Sequence, residues 1–181
     1  MKDKKFIIVA VVLIIAFAVA LFAYLRQDEG SAIGKLTFQS ADLTGEAVDD
    51  SIFADYDLTM VNVWGTFCSP CIEEMPDIEE LYEEMQSRNV NIIGVISDVG
   101  YPVRDKEVYD EANRIVEDTG VTYQNILPDQ SLQSKLLNRT TGVPTTVFVD
   151  REGNVIGKMV VGAQSKLEYQ KMIEELLEKA N

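Results

Sequence analysis

Two residues of this 181-residue chain stand out for the chemistry they could do. Cys68 and Cys71 are its only cysteines, and they sit in the run Trp64-Gly65-Thr66-Phe67-Cys68-Ser69-Pro70-Cys71. Two thiols kept this close can pass a disulfide between themselves and a partner, and the Cys-x-x-Cys spacing is a redox signature. Other uses of the pair fit less well. A disulfide that closes so short a loop removes little entropy from the unfolded chain, so a purely structural bridge has little to do. A zinc site takes about four ligands, and the chain has no histidine and no further cysteine. Only a dimer sharing two half-sites, or carboxylates filling in, would complete one. Two unrelated buried thiols would not need this spacing.

The flanks supply the elements such a pair requires. Met60-Val61-Asn62-Val63-Trp64 is a short apolar run that reads as a buried strand. Ile72 to Met85 reads as a helix. Pro70 lacks an N–H and fits its first turn, while Pro76 predicts a kink inside it. At a strand-to-helix turn the first unpaired backbone N–H groups and the helix dipole favour a thiolate. The rest of the chain alternates in the same way. Lys35 to Phe38 and Thr59 to Trp64 look extended, separated by the stretch Ser40 to Asp57. Val90 to Ile96 reads as a buried strand, and Val108, Ala112, Ile115 and Val116 form a helical stripe ended by Gly120. Val121 to Leu127 reads as a strand closed by Pro128, and Leu132, Leu136 and Leu137 mark a short helix. Thr145 to Val149 and Val155 to Val161 form a hairpin around Asp150 to Asn154. Ser165 with Glu168 is a capping box, opening a last helix whose Met172, Ile173, Leu176 and Leu177 face inward. An α/β domain, with a central mixed β-sheet flanked by helices on both faces, accommodates this order.

The start of the chain sets the compartment. Met1-Lys2-Asp3-Lys4-Lys5 is basic, and Phe6 to Leu25 holds no charged or strongly polar side chain. A helix of about twenty residues spans the roughly 30 Å of a bilayer core. Residues 1–25 therefore read as a transmembrane signal anchor, with the basic end in the cytoplasm and the body of the chain outside. A cleaved secretory signal is the competing reading, because Ala18-Val19-Ala20 is a passable small-x-small site. Against it, the apolar run continues through Leu21-Phe22-Ala23-Tyr24-Leu25. Either outcome puts Cys68 and Cys71 where disulfides persist. Residues 26–34 form a polar tether, and 35–181 have the length of one domain. Net charge is −14, and the basic residues Lys2, Lys4, Lys5 and Arg26 border the anchor, so the external part is more acidic still. Such a surface disfavours nucleic acid and anionic lipid headgroups and maintains solubility.

Together these segments resemble the TlpA/ResA-like thiol–disulfide oxidoreductases, a membrane-anchored branch of the thioredoxin-like fold. The resemblance rests on Val63 to Cys71, on Glu74-Met75-Pro76 and on Gly142-Val143-Pro144-Thr145-Thr146. It rests also on the long segment from Ser97 to Val143, where the family carries an extra helix and strand, and the expected fold has an extra N-terminal extended region as well. The family implies Cys68 as the exposed nucleophile and Cys71 as the buried resolving thiol. It implies a cis peptide at Val143-Pro144, on a loop that pairs with an extended substrate, and a substrate surface built from Trp64, Phe67, Pro70, Val143 and Pro144. Thioredoxins carry an aspartate where Asn62 stands, so their usual base is absent. Glu74 matches a glutamate the family keeps near its active site. It lies one helical turn past Cys71 and is placed to accept that thiol's proton, directly or through water. The competing reading is an ordinary first-turn acid complementing the helix dipole, as Glu73 is taken to be.

Glu73 and Glu74 oppose the helix dipole, and no lysine, arginine or histidine lies between Trp64 and Glu84 to offset them. A strong oxidant needs a highly stabilised thiolate, which is lacking, so the expected activity is reduction of protein disulfides. Its potential should lie nearer about −270 mV than about −120 mV. No metal or organic cofactor is expected beyond the Cys68/Cys71 disulfide itself. The resemblance implies a CcdA-like membrane thiol carrier as electron donor. It implies disulfide-bearing extracytoplasmic proteins as substrates, such as apocytochrome c or an oxidised repair enzyme. A thiol peroxidase fits poorly, because Gly65 and Val61 stand where that pattern wants a hydroxyl residue and a proline. A non-enzymatic peptide-binding or assembly factor would leave the cysteines without a use.

Overall fold

Every residue of Leu58–Trp64 and of Val90–Ile96 is buried, the condition of strands covered on both faces of a sheet. The structure is a computed structural model, and it describes residues 33–180 together with the isolated position Phe17. The strands are β1 (Gln39–Ala41), β2 (Ala47–Asp49), β3 (Leu58–Trp64), β4 (Val90–Ile96), β5 (Asn125–Ile126), β6 (Thr145–Asp150) and β7 (Val155–Val161). The helices are α1 (Ser69–Met85), α2 (Lys106–Thr119), α3 (Gln130–Lys135) and α4 (Lys166–Ala180). β1 and β2 form a small antiparallel hairpin, and the main sheet has the order β5-β4-β3-β6-β7. β3, β4 and β5 run parallel, while β6 is antiparallel to β3 and β7.

Period-two alternation along these strands sorts the core into two layers. Met60 and Trp64 of β3 join Met75 and Ile78 of α1, Ala112 and Ile115 of α2, and Tyr169 and Ile173 of α4. Val61 and Val63, one residue out of phase, join Leu36, Phe38, Phe53, Leu132 and Leu136 on the other side. Asn62 shares the phase of Met60 and Trp64, so a polar side chain is carried into the layer beneath α1 and α4. Thr146 of β6 is its direct partner across the antiparallel register. These two positions form the floor of the site described below.

The element ends follow local chemistry. Asp105 caps α2 by accepting from the N–H groups of Glu107 and Val108, and Gly120 ends it at φ 70°, where a side chain would be strained. The Ser165–Glu168 capping box forms, with Ser165 N–H and Oγ at 2.9 and 2.7 Å from Glu168 Oε2. α1 runs unbroken through Pro76, which leaves the Ile72 carbonyl without its usual N–H partner.

Two expected strands take a different form. Lys35 to Phe38 makes only a bridge from Lys35 to Asn154, and the extended region forms instead the β1–β2 hairpin, followed by a 3₁₀ turn at Asp50–Asp55. Val121 to Leu127 contracts to Asn125–Ile126. The incoming chain completes that edge, with Leu43 N–H donating to the Asn125 carbonyl and Leu127 N–H to the Ala41 carbonyl. Among the described residues no helix is long and apolar enough to cross a membrane. The expected anchor, 1–25, and the tether up to residue 32 lie outside the described residues.

Candidate active site

Cys68 and Cys71 are joined by a disulfide, with Cα atoms 5.3 Å apart. Cys68 is the N-cap of α1, and its Sγ accepts from the Cys71 N–H at 3.3 Å. Its carbonyl takes the N–H groups of Cys71 and Ile72 at 3.1 and 3.2 Å. A negative charge forming on this sulfur would thus meet a backbone donor and the positive end of a helix spanning Ser69–Met85. Cys68, expected to be exposed, is only 5% accessible, against 1% for Cys71. The sulfur is folded back over the helix start and tied to its partner. Ser69 and Pro70 beside it are exposed, so a disulfide approaching from solvent meets Cys68 first.

The turn before Cys68 is held at both ends. Trp64 is fully buried and its indole N–H donates to Asn125 Oδ1 at 2.8 Å. Expected among the substrate-binding residues, it lies instead under them as packing. A Cβ on Gly94 would fall 2.1 Å from Asn125 Oδ1, so that hydrogen bond requires glycine on β4. Thr66 donates its N–H and its Oγ1 hydroxyl to Asp98, the latter at 2.6 Å. Phe67 is 72% exposed beside the disulfide, an uncovered ring that suits contact with a partner. A Cβ on Gly65 would lie 2.8 Å from that ring and 2.9 Å from Ser97 Oγ.

Glu74, one turn into α1, is a buried carboxylate at 5% exposure. Asn62 Nδ2 donates to its Oε1 at 2.9 Å; the Gln164 N–H and the Tyr169 hydroxyl donate to Oε2 at 3.1 and 3.2 Å. Thr146 Oγ1 accepts from Asn62 Nδ2 at 3.2 Å and lies 3.1 Å from the Tyr169 hydroxyl. Burial raises the carboxyl above its usual range, and the Asp77 charge adds to this, while the donors from Asn62, Gln164 and Tyr169 pull against it. A carboxylate with a raised proton affinity one turn from Cys71 is equipped to take a proton from a thiol.

The Val143–Pro144 peptide is cis. Pro144 is buried, and Val143 packs on the same apolar layer that contains Cys68 and Cys71. The Pro144 carbonyl accepts from the Gly162 N–H at 2.8 Å. Two residues further, Gln164 reaches Glu74. The cysteines, Glu74 and this loop are the residues singled out from the sequence; Tyr169, Thr146, Gln164, Asn125 and Asp98, which the structure places around them, were not. Tyr169 falls in the inward stripe of the last helix four residues before Ile173, where an aromatic reads as core. Thr146 could have been found by pairing the two strands in register. Among the described residues no group of three or more His, Cys, Asp or Glu side chains is disposed to hold a metal ion.

Comparison with known proteins adds three kinds of finding. The model of the family described as Redoxin matches residues 28–173. Among curated relatives, the thiol-disulfide oxidoreductase ResA of Bacillus cereus is 28% identical over 186 residues, covering 98% of this chain and 97% of its own. ResA of Geobacillus thermodenitrificans is 31% identical over 118 residues, covering 64% of this chain and 61% of its own. Among solved structures, a thioredoxin-family thiol:disulfide interchange protein from Chlorobium tepidum superposes with a TM-score of 0.65 at 20% identity, covering 80% of this chain and 95% of that one. StoA from Bacillus subtilis gives 0.58 at 17% identity, covering 76% and 96%. The fold is thioredoxin-like.

Proposed function

The chain belongs to the Redoxin family, and we propose that it is an extracytoplasmic thiol–disulfide oxidoreductase of the ResA-like kind, reducing protein disulfides through Cys68 and Cys71. The observation that carries this is the redox-capable pair itself, joined across the first turn of α1 with Cys68 at the N-cap. In the reduced protein the Cys68 thiolate attacks a substrate disulfide, forming a mixed disulfide and releasing the first substrate thiolate. Cys71 then gives its proton to Glu74, and its thiolate attacks the Cys68 sulfur. The Cys68–Cys71 bond forms, the bond to the substrate breaks, and the second substrate sulfur leaves and is protonated. Two electrons pass from the dithiol to the substrate disulfide. Phe67, Pro70 and the Val143–Pro144 loop receive the substrate chain, the loop by backbone pairing as in strand addition.

The direction of transfer rests on the charges. No basic residue lies between Trp64 and Glu84, so the reduced thiolate lacks the stabilisation that makes a strong oxidant. Reduction outside the cytoplasm needs electrons brought through the membrane, which is the part of a membrane thiol carrier of the CcdA kind. Residues 1–25 would hold the domain beside it. Suitable substrates are extracytoplasmic disulfides, such as those of an apocytochrome c or an oxidised repair enzyme.

Insulin reduction with a chemical reductant tests the activity. The wild type should accelerate it and Cys68→Ser should not; equal rates would sink the oxidoreductase reading. A potential more positive than about −180 mV would reverse the direction assigned. Cys71→Ser in living cells should accumulate partners on Cys68 as mixed disulfides, which identifies the substrate.

A further inference from the structure

The Glu74 carboxylate receives three donors, and they are not equivalent. Asn62 Nδ2 and the Gln164 N–H are amide groups, which can only donate. The third donor is the Tyr169 hydroxyl, 3.2 Å from Oε2, and a hydroxyl can also accept. Tyr169 is fully buried, so no bulk water competes for this oxygen. It also neighbours a second hydroxyl, Thr146 Oγ1 at 3.1 Å, placed so that either oxygen can donate, and the Asn62 side chain.

A carboxyl group held only by donors has nowhere to direct a proton once it gains one. An unsatisfied buried O–H is costly, so such a group would have to move whenever its protonation changed. The pair Tyr169–Thr146 gives that proton an acceptor without moving the carboxyl, and passes the reorientation on to the Thr146 hydroxyl. With Glu74 ionised, Thr146 donates to the Tyr169 oxygen and the phenol donates to Oε2. With Glu74 protonated, its O–H donates to the Tyr169 oxygen and the phenol turns to Thr146 Oγ1. That oxygen has two lone pairs, one engaged by Asn62 Nδ2, so it can accept from the phenol while its own O–H rotates away from Tyr169. The same heavy-atom separations serve both arrangements.

From these contacts we propose that Tyr169 is a positioning residue for the exchange reaction: its hydroxyl reverses direction against Thr146, so that Glu74 can take and return a proton without leaving its place. This rests on the proton-accepting role given to Glu74 above. Tyr169 does not touch the sulfurs or the substrate; it acts through the carboxylate. Burial first, and then the Glu74 charge, hold the phenol itself in its neutral form, as a switching donor requires. Other ionisable groups bear on Glu74 from the surrounding elements: Asp77 on α1 and Tyr123 ahead of β5, with Cys71 one turn earlier in α1. Removing the Tyr169 oxygen leaves the Asp77 and Cys71 side chains in place and takes away only the smallest of the influences on Tyr123.

The test is a single-turnover measurement on the reduced full-length protein with a synthetic peptide carrying an internal disulfide, followed across pH. Tyr169→Phe keeps the ring and deletes one oxygen. It should slow release of the peptide thiols about tenfold at neutral pH and move the controlling pKa up by about one unit, because the carboxylate loses a charge-assisted donor. Glu74→Gln should also be slow, while Glu73→Gln, altering the exposed neighbour, should match the wild type. In the Glu74→Gln background, Tyr169→Phe should change neither rate nor pH profile. A Glu74→Gln variant as fast as the wild type overturns both the role of Glu74 and this proposal. A slow Glu74→Gln with a wild-type Tyr169→Phe overturns the proposal alone. So does a Tyr169→Phe effect that persists undiminished in the Glu74→Gln background, since that marks a structural role. If Tyr169→Phe fails to fold, Thr146→Val, which removes the other hydroxyl, is read by the same criteria.

Discussion

Glu74 joins the stability of the protein to the chemistry of its site. Its carboxyl is raised by burial against three donors, so the folded protein holds that proton more tightly than the unfolded chain does. The stabilisation this gives is complete below the unfolded value of about 4.3 and is lost as pH rises through the folded value. Glu74→Gln carries no such proton. Between about pH 4 and neutrality the melting temperature of the disulfide-intact variant should therefore climb relative to the wild type. A difference that stays flat, or falls with pH, would contradict the raised proton affinity. Cys68, Cys71 and Glu74 were legible in the sequence because their spacing along one helix is a local property. The partners of Glu74 were not. Tyr169 and Gln164 lie 95 and 90 residues away from it, and only the packing of α4 over β3 and β6 brings them together. Trp64 misled for a related reason: a tryptophan beside a redox motif reads as surface, whereas the Asn125 contact that turns it inward comes from a distant edge strand.

The strands at the centre of the sheet hold the redox turn in place. β3 ends at Trp64 and β4 at Ile96, and these are register partners, so the loops leaving them are neighbours. The Ser97 N–H donates to the Trp64 carbonyl at 2.7 Å, and Asp98 holds Thr66. Gly94 is the vulnerable point of this arrangement. A methyl group there would fall 2.1 Å from Asn125 Oδ1 and 3.0 Å from Trp64 Nε1, and the same asparagine is anchored to the Tyr123 carbonyl. Gly94→Ala should destabilise the fold by about 3 kcal/mol through overpacking and a broken buried hydrogen bond. Chemical denaturation measures this directly, and a change under about 0.5 kcal/mol, typical of a neutral surface site, would disprove it. β4 was readable to the residue because a short run rich in Val and Ile, interrupted only by Asn91 and Gly94, has few other solutions. β5 was not, since its short length is set by what the β1–β2 hairpin and its flanks supply along that edge.

At the scale of the whole molecule, the sheet separates two layers, and Cys68, Cys71 and Tyr169 all contribute to one of them. The opposite layer receives Ile33, from the end of the tether, and Leu36 and Phe38 just beyond it. Membrane attachment is open to direct measurement. The full-length protein should stay in the membrane fraction through carbonate extraction, with its C-terminal body digested by protease added from outside. Release by carbonate, with a shorter mature chain, would establish cleavage after Ala20 in place of an anchor. One further consequence lies in the connector from β7 to α4. Its Gly162 N–H closes on the Pro144 carbonyl and its Gln164 N–H closes on Glu74, with Ala163 between them. Two residues of backbone reach no further than about 7 Å. The distance from the cis-proline loop to the Glu74 carboxylate is thus gauged by covalent geometry, like two marks on one ruler. Lengthening that ruler by a single residue would leave every side chain of the site in the sequence and still shift the cis-proline loop relative to the buried carboxylate.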